Sequence, residues 1–185
     1  MRILTSSRYV WAALVLLVTA AVAIVLADPI GSTADPADLR AQIENRMRTT
    51  LEQTSPEQHN HGGHSIPVAG TTEPSVVCGV RVYGYEPAEV TALTEVRTVY
   101  GFHLCGVAEP QRPWDVAVKL AGPVIVDMSS TPPGIQVVEA TAETKYVDRL
   151  REMFPAGYAD LAMKEALADT ELSDLRRRYN DAAGL

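Results

Sequence analysis

The chain is short of cysteine, of phenylalanine and of basic residues. Only two cysteines occur, Cys78 and Cys105. They are too far apart for a Cys-x-x-Cys redox pair and too few by themselves for a structural zinc site. Lysine and arginine total 16 against 23 aspartates and glutamates, a formal net charge of -7. General nucleic-acid binding needs cations that displace phosphate counterions, so this balance predicts no nucleic-acid partner. It also disfavours a domain that lies flat on an anionic bilayer. Missing too are G-x-S-x-G, H-E-x-x-H, the P-loop and G-x-G-x-x-G. The sequence therefore designates no catalytic residue and no cofactor.

Charge vanishes altogether over residues 9–27, YVWAALVLLVTAAVAIVLA. A helix of that length covers roughly 28 Å, close to the ~30 Å hydrocarbon layer of a bilayer. Tyr9 and Trp11 sit at one end, where amphipathic rings favour the interface. Arg2 and Arg8 precede the run, and Asp28, Asp35 and Asp38 follow it. Positive-inside bias then predicts residues 1–8 in the cytoplasm, a single-pass anchor at 9–27 with the cell membrane as its partner, and the remainder outside. A cleaved signal segment is the alternative, with cleavage after Ala27 and a secreted product. Against it, the apolar run exceeds the ~7–15 residues usual for a signal core. Either route exports the rest of the chain, where Cys78 and Cys105 are expected to form a disulfide.

Hydrophobic residues make up 46% of the chain, enough for a sizeable core. Asp35-Pro36 resembles a helix start, an N-cap aspartate with proline at the first helical position. Leu39, Ile43, Met47 and Leu51 follow at four-residue spacing, a narrow apolar stripe on a helix over about 36–53. The stripe leaves open whether it packs on the domain or on a second copy of itself. Residues 54–75 hold prolines, glycines and histidines with few large apolar residues, the composition of a linker. Residues 28–75 thus read as a juxtamembrane helix and tether, and 76–185 as the exported domain.

Within that domain, β-branched and aromatic residues predict strands at 76–85 and 96–107. In the second, Tyr100, Phe102 and Leu104 alternate with Val99, Cys105 and Val107. Both faces are apolar, so this strand should be central and covered. Shorter strands are expected at 116–120 and 124–128, flanking a turn at Ala121-Gly122-Pro123, and at 135–140 after the turn sequence SSTPPG. From Thr144 the period becomes helical. Tyr146, Leu150, Met153 and Phe154 share a face, and Pro155 ends the helix. A second helix follows at 158–167. A third has Thr170 as a possible cap and Leu172, Leu175 and Tyr179 on its buried side. Together these predict an α+β fold, a mostly antiparallel sheet of about five strands followed by two or three C-terminal helices on one face.

Chemistry is sparse. HNHGGH at residues 59–64 places His59, His61 and His64 together. Neutral imidazoles bind zinc, copper or nickel, but a glycine-rich linker must first lose about 1–2 kcal/mol of backbone entropy per residue ordered. The expectation is a solvated tether with weak metal capture at best. His103 lies two residues before Cys105, a conceivable Cys-His nucleophile that conflicts with a disulfide. Glu86 with Glu89, and Asp115 with Asp127, are conceivable carboxylate pairs, although their spacing identifies nothing. Arg176-Arg177-Arg178 is the one basic run, suited either to a helix C-terminal dipole or to partner docking. Tyr83, Tyr85, Tyr100 and Trp114 are strand-type aromatics that serve a core or line a cleft. The function expected is a tethered extracytoplasmic domain that binds a protein partner or an envelope ligand. A small enzyme acting on envelope material is the alternative, with metal capture by the histidines a weaker one.

Overall fold

The computed structural model describes residues 35–54 and 74–185. The expected membrane span at 9–27 and the histidines at 59–64 lie outside those residues. Among the described residues no helix is long and apolar enough to cross a membrane.

Helix α1 spans Pro36–Gln53, and the Asp35 carboxylate accepts from Ala37 N at 2.9 Å as the sequence pattern anticipates. Strands β1 (Ser75–Glu86), β2 (Thr98–Ala108), β3 (Lys119–Asp127) and β4 (Gly134–Val137) follow. They form one antiparallel sheet in the order β1-β2-β3-β4. Helices α2 (Tyr146–Met153), α3 (Ala156–Ala162) and α4 (Asp169–Ala183) complete the chain.

Among the described residues the sheet has four strands, not five. The turn expected at Ala121-Gly122-Pro123 is instead the middle of β3, which pairs with β2 without interruption from Thr98↔Asp127 to Gly106↔Lys119. Proline is tolerated there for a geometric reason. Pro123 O accepts from Val138 N, just past the end of β4. A strand residue's N and O point to the same side, so the missing N–H also faces the end of β4 and removes no bond from the β2 ladder.

Successive side chains of β2 point to opposite faces, and both are covered. On one face Val99 and Cys105 join Val76, Cys78, Val82, Val124 and Val126. This face receives α1, whose Leu39 retains 3% of its exposure and Ile43, Met47 and Leu51 none. Burial of each such side chain is worth about 1.5–3 kcal/mol, so the sheet is the partner that the α1 stripe required. The other face takes the C-terminal helices in two groups. Leu175 and Tyr179 of α4 pack with Val77, Ala108 and Trp114. Leu150, Phe154 and Ala159 of α2 and α3 pack with Tyr83, Tyr100 and Val138. The C-terminal helices share one face as expected, and α1, whose partner the sequence left open, covers the other, so that the sheet lies between helices.

Two glycines allow the close approach of α4. A Cβ on Gly79 would lie 2.7 Å from Leu167 Cδ1, and one on Gly106 would lie 2.7 Å from the Trp114 ring and 2.9 Å from Tyr179. Both helices at this end differ from expectation in their limits. The stretch expected as helical over 158–167 is helical only to Ala162, and Thr170 falls inside α4. The backbone at the start of α4 is capped by Glu171, whose carboxylate accepts from Ala168 N at 2.5 Å.

Candidate functional site

β1 is an edge strand, and an open edge is a row of unpaired donors and acceptors. At Cys78 both outward groups are taken. The N–H donates to Glu52 Oε1 of α1 at 2.9 Å, and the carbonyl accepts from Arg178 Nη2 of α4 at 2.6 Å. Arg178 Nη1 and Glu52 Oε1 themselves lie 2.9 Å apart. Two helices on opposite faces of the sheet therefore meet around its rim. Asp174 holds the Arg178 guanidinium from the other side, Nε to Oδ2 at 2.9 Å. Hydrogen bonds from Arg178 and Arg177 hold the Asp174 carboxyl below the usual carboxylate range. Four residues further along the rim, Arg40 of α1 donates to Val82 O.

Between these two closures lies a cleft of about 390 Å³. Its floor is Gly79 and Val80. One wall is α1 with Ala41, Glu44, Asn45 and Arg48, and the other is α4 with Thr170, Glu171, Asp174 and Arg178. Its acidic groups have partners already. Glu44 pairs with Arg40 at 3.5 Å, Glu171 with Arg81 at 2.8 Å, and Asp174 with Arg178. The Arg81 guanidinium is held above its ordinary pKa chiefly by the hydrogen bond to Glu171.

The disulfide is present beneath α1. Cys78 and Cys105 are direct register partners, with Cα atoms 4.0 Å apart and both side chains fully buried. A Cys105 thiolate nucleophile is thereby removed. His103, on the same face and also fully buried, donates from Nδ1 to Gly122 O at 2.9 Å.

One member of each conceivable carboxylate pair is engaged in local structure. Glu86 Oε2 accepts from Tyr100 OH at 3.2 Å. Asp127 Oδ1 accepts from Ser129 N at 2.9 Å and Ser129 Oγ at 2.5 Å, which lowers its pKa and shapes the turn into β4. None of Glu86, Glu89, Asp115 or Asp127 lines the cleft. The basic run is divided by the helix. Arg178 closes the β1 rim, Arg177 pairs with Asp174 and Asp181, and Arg176 faces a second hollow of about 450 Å³ beside Trp114 and Asn180.

The aromatics serve the core. Tyr100 packs 5.4 Å from Phe154 and 5.3 Å from Tyr158, centroid to centroid, and Trp114 lies edge-on to Tyr179 at 5.1 Å. The Tyr83 hydroxyl donates to Glu165 O, and burial pushes its pKa up to about 12. Among the described residues no group of three His, Cys, Asp or Glu is placed to hold a metal.

Arg48, Glu52 and the backbone of Val80 carry no signal in the sequence. Arg48 and Glu52 fall outside the apolar stripe of α1 and read as solvated surface. Glu52 finds Arg178 at a separation of 126 residues. Comparison with protein-family models, with curated proteins and with solved structures finds no match.

Proposed function

We propose that this chain is an exported, membrane-tethered domain that binds a protein partner or an envelope ligand, and that its work is recognition, not catalysis. The observation that carries the reading is the cleft on the β1 rim. It is concave, framed by a rigid sheet and two helices, and lined by carboxylates already committed to arginines. The one lining carboxylate with a displaced pKa, Asp174, is displaced toward the ionised form. A general acid or base operating near neutrality needs the opposite displacement. Groups fixed in charge and position suit recognition of a complementary ligand.

The location is supported by the uncharged run at 9–27, by the arginines before it, and by the Cys78–Cys105 bridge, which persists in oxidising compartments. The mechanism is display: the leading segment sets the membrane, and the bridged sheet holds the cleft in one shape.

Cross-linking of the tagged full-length chain in intact cells, followed by mass analysis, tests both halves. A stoichiometric partner should be recovered, with Cys78 and Cys105 oxidised and the C-terminal half cut by protease added outside the cell. Reduced cysteines together with protection from that protease would overturn the location. Purified chain that turns over envelope material, with turnover lost on substitution in the cleft, would overturn the non-catalytic assignment.

A further inference from the structure

We propose that the cleft on the rim of β1 receives the free carboxyl end of a short, extended peptide, which pairs with the backbone of Val80 and places its carboxylate on Arg48. This deepens the recognition reading above and rests on it.

The first support is the backbone. The Cys78 N–H and C=O point outward from the sheet, as their bonds to Glu52 and Arg178 show. Strand alternation places the same groups of Val80 outward too, into the cleft that Val80 floors. Neither has a partner among the described residues. An outward N–H and C=O on one residue form the unit that an added extended chain uses in strand addition.

The second support is the length of open edge. Glu52 with Arg178 closes the rim at Cys78, and Arg40 closes it at Val82. At ~3.3 Å per residue these closures stand roughly 13 Å apart. A strand passing through would collide with both, whereas a chain end enters between them and stops.

The third support is charge. Arg48 donates to Asn45 Oδ1 at 2.6 Å and has no carboxylate partner among the described residues. The other lining arginine, Arg178, is spent on Asp174, Glu52 and Cys78 O. A guanidinium without a carboxylate partner among the described residues, beside an outward backbone donor and acceptor, selects an anion attached to an amide. Its planar fork fits a carboxylate, and Asn45 positions it. Ala41 and Thr170 give small walls over the Gly79 floor, and the volume admits roughly two or three small residues.

The experiment is calorimetry on the full-length chain in detergent, with tri-alanine as the probe against its C-terminal amide and its N-acetyl form. Tri-alanine and N-acetyl-tri-alanine should bind at one site. The amide should bind at least about tenfold more weakly, as should tri-alanine to Arg48→Gln. The backbone amide resonance of Val80 should move during the titration of wild type. Equal binding of acid and amide, an unaffected R48Q chain, a Val80 amide unmoved at saturation, or no heat up to about 5 mM peptide would each overturn the proposal. Should R48Q fail to fold, Arg48→Lys retains the charge without the fork and must still weaken the acid more than the amide. A partner recovered by cross-linking while no peptide binds would leave the recognition reading standing and remove this one.

Discussion

Glu52 near the C-terminal end of α1 and Arg178 in the second half of α4 sit on opposite sides of the sheet and touch at 2.9 Å across its rim, with the Cys78 backbone between them. The pair does three things together. It satisfies the outward N–H and C=O of an edge strand, it ties the first helix to the last, and it forms one end of the cleft. Both side chains are about three-quarters buried, at 25% and 27% exposure, so loss of either leaves a polar group with poor access to water.

Truncation of this pair should therefore cost more than a surface ion pair does. Arg178→Met is expected to lower unfolding free energy by about 1–3 kcal/mol, since it strands the Cys78 carbonyl and the Glu52 carboxylate. Glu52→Gln, which keeps an acceptor for Cys78 N, should cost less. Urea midpoints at constant slope measure both, and the double variant should fall short of the summed effect. Strict additivity would mean that the two residues act independently.

The disulfide closes a separation of 27 residues. In the chain-entropy account a loop of that size contributes about 3–4 kcal/mol, mainly by restricting the unfolded chain. Cys78→Ala with Cys105→Ala should lower the unfolding midpoint by a corresponding amount. Circular dichroism should show the four-stranded sheet retained, because the ladder on both sides of the bridge is made by backbone alone.

Gly106 is a packing position. Its substitution by alanine would place a Cβ 2.7 Å from Trp114 and 2.9 Å from Tyr179, two buried rings that already contact each other edge-on. Overpacking of this kind costs about 1–3 kcal/mol. Differential scanning calorimetry of Gly106→Ala should show the loss. Gly157→Ala, where no atom lies within 4 Å, serves as the neutral control.

Asp174 gives the fold an acid-sensitive contact. Its pKa is lowered in the folded state by hydrogen bonds from Arg178 and Arg177, with burial opposing. A lowered carboxylate contributes stability that is present above its unfolded pKa, near 3.9, and is lost as pH falls through the folded value. Asp127 shifts in the same direction through Ser129 and Ser130. Unfolding free energy should thus fall below about pH 4, and Asp174→Asn should flatten that fall while leaving Asp127 as the residual. The Asp174 side chain is 45% exposed, so solvent screening keeps its share below about 1 kcal/mol. Chemical denaturation across the acid range reads the difference directly.

Much of the architecture was legible because it is written in short-range chemistry. Asp35-Pro36 with Leu39, Ile43, Met47 and Leu51 defined α1 to its ends. β-branched runs located β1 and β2, and the apolar character of both faces of β2 announced a covered central strand. The two cysteines, read with the expectation of export, implied their bridge. Ala121-Gly122-Pro123 misled because those residues favour a turn locally. Only its place in the sheet, with N and O turned away from β2 and toward the end of β4, makes its missing donor harmless there.

The site was not legible, for a physical reason. Helical and strand periodicity reports which face of an element is apolar, and it says nothing of which polar residue meets which. Arg48, Glu52 and Arg178 look like ordinary solvated charge on their own helices. By itself the sequence determined most of the elements, the bridge and the expectation of export, because each follows from neighbours in the chain. The tertiary structure alone decided that α1 covers one face of the sheet while α4 covers the other. Their tips converge at the rim, and the Glu52–Arg178 pair, the Arg48 guanidinium and the Val80 backbone thereby come to one cleft. Such convergence depends on contacts more than a hundred residues apart, which no local pattern encodes.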